Sequence, residues 1–527
     1  MNKRDNFIGK NVLLVCAETF SWPMHYIAEE IRDDCESVAA IFIQPGEVYF
    51  SGPEYKLFQS LNKDIHIYEM SSVAEKYIEQ HKDAESFIDR EYINKIEKEY
   101  TAYSSLNEQL LTEMTLLPYY HDRDYYEYID YDKILLYVQI YYQYIERLFE
   151  TNKPDMILDC EVDFFGRSVL LEVASKYKVP YISLDHARID GYVLPTTSLV
   201  KEINGHIRSS YESYLLDPNL LSEKNVREMY ENAKKHIGEI PGVYAKMHAR
   251  QKFSVLGMLK QMIRTTIYIS RHLSLKKFTL NIFSKLSSPI CSDVIKTYKF
   301  FYMYYIRRFY LEFSNIFDKK DLTKINYIYV PLHVIPESST TVLSPYYINE
   351  TFIIESLSKS IRSDQYIVVK EHWSMIGYRP ISYYKKIKRL PNIILIDPTS
   401  YALPKDYITN SDLVVTISGS SAFEASVLGI NSLVFSDVIY GLLSSVKKVY
   451  VDENLRKTIA QHISYKMPEK EFYAYLKVLL TWGGEVRIKR LLVSPLNVDR
   501  SEVKQDIENL LDVFDKGLQL YKENRNV

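Results

Sequence analysis

The chain of 527 residues predicts an α/β fold of two doubly wound parallel-sheet domains facing a cleft, with a helical insertion and C-terminal helices. Three observations predict it. Short apolar runs alternate with helical patterns near the N-terminus and again after residue 326. A stretch that reads as wholly helical separates the two alternating regions. Several apolar runs end in Ser, His or acidic motifs, at the carboxyl strand ends where open parallel sheets bind ligands.

The first alternation opens with Asn11–Cys16 (NVLLVC), a continuous apolar run that suits a strand buried on both faces. A helix follows near 23–31, then strands at 38–43 and 65–68. Residues 71–150 read as a polar, Tyr-rich helical insertion, ending in an amphipathic segment from 131. A strand at 155–158, a helix at 167–177 and a strand at 180–184 complete an N-terminal domain of residues 1–200. Residues 201–320 form a basic helical linker region. The second alternation, in a domain of 321–450, places strands at 327–330, 366–369, 393–396, 413–416 and 432–435. Helices fit between them at 349–361, 381–387, 404–409 and 420–428. Residues 451–527 read as C-terminal helices, the last of which (502–521) is expected to cross back toward the first domain.

Composition removes several classes. Net charge is -3, which gives no support to a nucleic-acid partner. Cys16, Cys35, Cys160 and Cys291 form no CxxC pair and fit neither a zinc site nor a disulfide framework. No window reaches about 18 uninterrupted apolar residues, so no membrane span is expected. The N-terminal segment reads as a first strand rather than a secretion signal, and a cytoplasmic protein is expected. Neither GxGxxG nor GxxxxGK[ST] occurs, against a dinucleotide enzyme or a P-loop ATPase. Between residues 246 and 308 there are thirteen Lys or Arg and one acid, Asp293, interleaved with aromatics. That region is either a face for anionic lipid or an acidic polymer, or a helical linker with solvated cations.

Three motifs of the second alternation carry chemistry. In Val369-Lys370-Glu371-His372-Trp373, Lys370 and His372 alternate with Glu371, so one face of the strand end presents two donors to a phosphate. Ser418-Gly419-Ser420-Ser421-Ala422-Phe423-Glu424 runs from a strand into a helix. Gly419 permits close backbone approach, the serines offer donors at the helix start, and Glu424 can accept from a ribose diol. The alternative is an ordinary helix cap with Ser and Glu424 in a capping box. Pro331-Leu332-His333-Val334-Ile335-Pro336-Glu337 is a Pro-bounded loop in which His333 and Glu337 face the cleft, as an acid–base or sugar-contacting pair or as a rigid turn. In the first alternation, Asp159, Glu161 and Asp163 with Arg167 follow one strand, and Asp185, His186, Arg188 and Asp190 follow the next. Glu161, Asp163, Asp185 and His333 are the catalytic candidates, with a carboxylate as base or nucleophile. Arg167, His186 and Arg188 are the acceptor-binding candidates. The DxD-like spacing raises a divalent metal, but no further ligand set is evident and none is expected.

The motifs PLHVIPES, KEH, NIILIDP, SDLVVTISGSSAFEA and LGINSLVF, in that order over about 327–442, resemble the capsule polysaccharide biosynthesis family of Kdo-transferase-like glycosyltransferases. PDMILDCEVDFFGRSVLLEVASKYKVPYISLDHARIDGY in the first domain is similar as well. The resemblance implies a GT-B-like fold of two Rossmann-like domains. It also implies that His372 contacts the nucleotide phosphate and that Ser420, Ser421 and Glu424 hold phosphate and ribose. Trp373 stands where the family pattern has proline; it either stacks on a base or sugar or marks an altered pocket.

The expected activity is metal-independent glycosyl transfer with no cofactor, only a nucleotide-sugar co-substrate such as a CMP-sugar. Lys370, His372, Trp373, Ser418, Gly419, Ser420, Ser421, Glu424 and Glu337 would bind it. The acceptor would be a bacterial surface polysaccharide or a lipid-linked glycan, with peripheral membrane contact through 246–308. A CDP-glycerol-type glycerophosphotransferase, a sugar-nucleotide epimerase and a non-catalytic nucleotide- or polysaccharide-binding assembly protein are the other readings.

Overall fold

The computed structural model describes residues 5–524, apart from 44–52, most of 71–82, 101–105, 108–130, 161–164, 198–202, 238–253, 273–293, 336, 399–402 and 452–453. Two sheets organise these residues. Among them the first has seven strands and the second six.

In the first sheet, β1 (Asn11–Cys16) lies between β2 (Ser37–Phe42) and β4 (Met156–Leu158), with β3 (His66–Glu69) and β5 (Tyr181–His186) outside them, all parallel. The continuous apolar run of β1 reflects burial on both faces. Leu13 and Val15 face the helices Tyr131–Asn152 and Phe165–Tyr177. Val12, Leu14 and Cys16 face the helices Ser21–Ile31 and Arg500–Asn524. Alternation by two residues makes each strand serve two cores at once.

The second sheet puts β7 (Asn326–Pro331) between β10 (Leu413–Thr416) and β8 (Gln365–Lys370), with β9 (Ile393–Ile396), β11 (Ser432–Val434) and β12 (Val446–Lys448) outside. Counted within this unit, the order is 6-5-4-1-2-3, the doubly wound Rossmann arrangement. Its switch point lies between β7 and β10, where connections leave to opposite faces, the place at which open α/β sheets bind ligands beyond the carboxyl ends.

Each strand expected from the sequence is present within two residues. Three were not legible. β6 (Tyr192–Thr196) and β13 (Gly484–Glu485) pair antiparallel at the rim of the first sheet, and β12 adds an edge to the second. They are short, and β6 contains Pro195, so only partner strands make them strands. The tail expected to be wholly helical is thus interrupted by β13. Gly483 leads into it, where a Cβ would meet the Val193 carbonyl oxygen at 2.5 Å and the Leu479 carbonyl oxygen at 2.7 Å. The insertion 71–150 is helical where described, at Ala84–Phe87, Arg90–Glu99 and Tyr131–Asn152.

The expected crossing-back helix exists. Arg500–Asn524 inserts Val503, Ile507, Leu510, Val513 and Phe514 into the core of the first sheet. The helices Gly205–Leu216 and Lys224–His236, expected in a linker, instead pack on Glu469–Trp482. Ile207, Tyr211, Phe472 and Tyr475 from these helices share a third core with Leu194 of the first sheet and Phe423 and Tyr440 of the second unit. Apolar burial therefore joins the two units.

Leu510 is fully buried against the first sheet, whereas Lys504 on the same helix is exposed. Leu510→Ala is expected to lower stability by about 2–5 kcal/mol in urea denaturation, from lost burial plus a cavity. Lys504→Ala should stay within about 0.5 kcal/mol. Equal effects would mean that the helix does not clamp the first sheet.

Candidate functional site

Register brings three motifs to one level. Pro331 at the end of β7 pairs with Lys370 at the end of β8. Leu413 pairs with Ile328, so Thr416 at the end of β10 comes level with Pro331. His333, His372 and Ser418 thus each stand two residues past the same line, on three adjacent strands. The loop after β7, expected to line the cleft and to carry an acid–base or sugar-contacting pair, is the centre of the set.

A buried ion network holds it there. Glu350, at the start of the helix Glu350–Ser360, accepts from the His333 backbone N–H at 2.7 Å, and its Oε1 lies 3.1 Å from His333 Nδ1. Arg379, 1% exposed, places a terminal guanidinium nitrogen 2.8 Å from Glu350 Oε2 and Nε 2.8 Å from Glu371 Oε2. It also donates to the His333 carbonyl oxygen at 2.6 Å. Tyr384 donates to Glu371 at 2.8 Å and Tyr383 to Glu350 at 3.2 Å. Burial pushes both carboxyls up. For Glu350 the Arg379 and His333 interactions outweigh burial and hold it below the ordinary value, whereas for Glu371 burial prevails. Glu371 points inward, as the alternation in KEH requires.

The other side of His333 holds the glycine loop. His333 Nε2 lies 3.0 Å from Thr416 Oγ1, and Thr416 Oγ1 accepts from the Gly419 N–H at 3.2 Å. A Cβ on Gly419 would lie 2.6 Å from Thr416 Oγ1 and 3.2 Å from His333 Nε2. Both ring nitrogens of His333 are engaged and the residue is 8% exposed, so its geometry is that of a brace between loops. Tyr440 donates from the far side to the Ser418 and Gly419 carbonyl oxygens at 2.8 and 2.9 Å.

The helix after the loop, Ser421–Val427, starts without a side-chain cap. Ser420 donates to Glu424 Oε1 at 3.1 Å, and burial raises the Glu424 carboxyl. Ser421 Oγ is buried with no hydrogen-bonding partner. Of the two sequence readings, the capping box is not formed: Ser420 and Ser421 are aimed elsewhere.

His372 caps the 3-10 turn Trp373–Met375 through its ring. Nδ1 accepts from the Ser374 N–H at 3.3 Å and lies 2.6 Å from Ser374 Oγ. Burial first, then the nearby His333 and Lys370, hold its pKa down to about 4. The ring is neutral at physiological pH, and with Nδ1 accepting, its proton sits on Nε2 as a donor. Lys370 Nζ lies 5.3 Å from the centre of the Tyr407 ring, and burial lowers its pKa against the pull of Asp397. Trp373 is half-buried, its ring 5.4 Å from that of His372.

From the first sheet, β5 brings Asp185, His186 and Arg188. Arg188 has a positive φ of 61°, costly for a residue with a Cβ, and its Nε is buried with no hydrogen-bonding partner. Its charge acts on Glu424 and Tyr440 of the second unit. Asp185 is 6% exposed and acts on Tyr440 and Tyr475, while His186 is exposed. Arg188 and Asp185 therefore meet the second unit's site across the cleft.

The remaining candidates fall elsewhere. Arg167 is 1% exposed, with Nε 2.7 Å from Asp159 Oδ2, and Tyr181 also donates to Asp159. That buried pair fastens the helix Phe165–Tyr177 to β4 and leaves Arg167 no surface for an acceptor. Glu337 is exposed, and its carbonyl oxygen accepts from Thr340 and Thr341. Glu161 and Asp163 lie outside the described residues. Among the described residues no group of three His, Cys, Asp or Glu is placed to hold a metal ion. Arg379 and Glu350 were not singled out from the sequence; GYRP and INETF carry no recognisable signature.

Two outcomes follow. Gly419→Ala should displace the loop, lowering stability by about 1–3 kcal/mol through overpacking against Thr416 and His333; an unchanged thermal midpoint would contradict the close approach. The second concerns pH. The folded His372 ring stays neutral down to about pH 4, while the unfolded chain titrates near the ordinary value of about 6.5. Between these values the unfolded state binds a proton that the folded state refuses. The contribution is thus present above the unfolded value and lost as pH falls toward 4. His372→Gln should flatten the fall in stability over that window, measured by urea denaturation at stepped pH.

No known family profile matches the chain, and no curated protein does. Solved structures do. The chain is similar to Thermosulfurimonas dismutans KpsC, a beta Kdo 2,7 transferase, at 13% identity over 71% of this chain and 90% of that one, with a TM-score of 0.29. It is similar to a Methanocaldococcus jannaschii UDP-GlcNAc 2-epimerase in complex with UDP-GlcNAc and UDP, at 12% identity over 89% and 99% of the two chains, with a TM-score of 0.27. It is also similar to the glycotransferase of kitacinnamycin, at 11% identity over 92% and 100%, with a TM-score of 0.26. The topology itself establishes the fold class: two Rossmann-like sheets meeting across a cleft, the GT-B-like arrangement expected from the sequence.

Proposed function

We propose that the chain is a glycosyltransferase that moves a sugar from a nucleotide-activated donor, such as a CMP-sugar, to a surface polysaccharide or lipid-linked glycan in the cytoplasm. One observation supports it above the others. Two buried polar atoms without a protein partner, Ser421 Oγ and Arg188 Nε, belong to opposite units: Ser421 opens the helix that carries Glu424, and the Arg188 charge acts on the Glu424 carboxyl, beside the switch point of the second sheet. A buried polar atom left unsatisfied costs about 1–3 kcal/mol, which a bound ligand recovers. The neighbouring groups suit a nucleotide: Lys370 and the His372 Nε2–H for phosphate, Glu424 for a diol, Trp373 for a ring face.

In this reading the bond from the anomeric carbon to the phosphate oxygen breaks as the acceptor oxygen bonds to that carbon. Charge developing on the phosphate is met by Lys370, His372 Nε2–H, Ser421 and, from the other unit, Arg188. The hydroxyl proton of the acceptor passes to a carboxylate at the strand ends of the first sheet, Asp185 being the described candidate. His333 positions the Gly419 loop, and no metal enters the scheme.

Thermal-shift measurements against CMP, CDP, UDP and GDP test this. One nucleotide should raise the midpoint, and His372→Ala and Glu424→Ala should each abolish the rise while retaining a cooperative melt. With that nucleotide's sugar conjugate and a glycan acceptor, wild-type protein should release free nucleotide. Indifference to all four nucleotides would overturn the reading; binding without release would make the chain a binder and not an enzyme.

A further inference from the structure

The helix Val255–His272 packs on Val294–Phe313 and carries two different faces. Met258, Met262 and Thr266, four residues apart, are half-buried, and Thr266 Oγ1 lies 2.8 Å from the Tyr302 hydroxyl. This is the face turned to the partner helix. About a quarter-turn away runs an apolar stripe: Leu256 is 80% exposed, Leu259 47% and Ile263 60%. Their spacing of three and four residues puts them on one side of the helix. Lys260 and Arg264, both exposed, border the stripe on the side away from the hairpin.

Three large aliphatic side chains in water on one helix face forgo about 25 cal/mol for each Å² of apolar surface left unburied. A protein partner would cover them, and so would the acyl boundary of a bilayer. Charge decides between the two. The helix Val255–His272 carries Lys260, Arg264 and Arg271 and no acid, and the sequence over 246–308 holds thirteen Lys or Arg against one acid, a balance that complements an anionic surface. No described helix is long and apolar enough to cross a membrane, so such a helix lies in the interface instead.

We propose that this hairpin docks on an anionic lipid surface, with Leu256, Leu259 and Ile263 entering the headgroup–acyl boundary and Lys260 and Arg264 meeting phosphates. The partner helix connects the hairpin to the candidate site. Arg307, 4% exposed, donates to the Tyr378 carbonyl oxygen at 3.0 Å, and Tyr304 stacks edge-on against Tyr378, six residues past His372. Docking at this surface therefore orients the loop that carries His372 relative to the bilayer.

Co-sedimentation of the full chain with vesicles tests the surface directly. Wild-type protein should pellet with phosphatidylcholine vesicles that contain phosphatidylglycerol and stay in solution with phosphatidylcholine alone. Leu256→Ser/Leu259→Ser/Ile263→Ser and Lys260→Glu/Arg264→Glu should each weaken binding about tenfold or more, with melting curves unchanged because all five positions are exposed. Equal binding to both vesicle types, or none to either, would overturn the proposal. So would a serine variant that binds as wild type does, which would point to an acidic polymer met by charge alone. A wild-type dimer that the serine variant dissociates, with no lipid binding, would overturn it in favour of a second copy.

Discussion

One buried guanidinium sets the position of nearly everything at the carboxyl edge of the second sheet. Arg379 lies between Glu350 and Glu371, with a bond to the His333 main chain, and all four residues are buried. Two carboxylates that close would repel if both were ionised and uncompensated, and a lone guanidinium there would be costly. Together they are mutually required, and each belongs to a different segment. Glu350 starts a helix, Glu371 directly follows β8 and Arg379 precedes the helix Ile381–Lys388. Removing one member leaves a buried charge uncompensated, a loss of about 3–5 kcal/mol in comparable cases. Such a network specifies one arrangement of three loops where apolar packing would tolerate several.

The network acts outward through His333. Because Glu350 takes one ring nitrogen and Thr416 meets the other, the loop after β10 is tied to the loop after β7. Gly419 closes the gap with no room for a Cβ. That rigidity lets Ser421 and Glu424 be held without capping their own helix. Ser420 orients Glu424 from within the start of their own helix, while the network fixes the loop that leads into it.

The cleft itself depends on the chain returning. Arg500–Asn524 lies on the first sheet, and Glu469–Trp482 contributes to a core shared by both units. Tyr475 from that helix donates to the Ala187 carbonyl oxygen at 2.9 Å, beside Arg188. The residue with a strained backbone is thus held by the element that links the two units. Domain connection and site geometry are one arrangement.

Much of this was legible in the chain. Continuous apolar runs gave the central strands because parallel strands buried on both faces need them. KEH and GSSAFEA were readable as strand-end motifs, and their convergence followed from the doubly wound order. The edge strands were not legible, since β6, β12 and β13 are short and exist through their partners. Nor was the task of Arg167: a cation near an acidic cluster reads the same whether it faces an acceptor or is buried on Asp159, and only burial separates the two. The pairing of Arg379 with Glu350 and Glu371 spans separations in sequence that no local pattern encodes. By itself, then, the sequence determined the class of fold and the strand ends where chemistry gathers, because periodicity and turn chemistry are local. The tertiary structure alone decided that His333 braces two loops while His372 caps a turn, and that Arg188 acts on the second unit, because burial and pairing are properties of side chains brought together from distant segments.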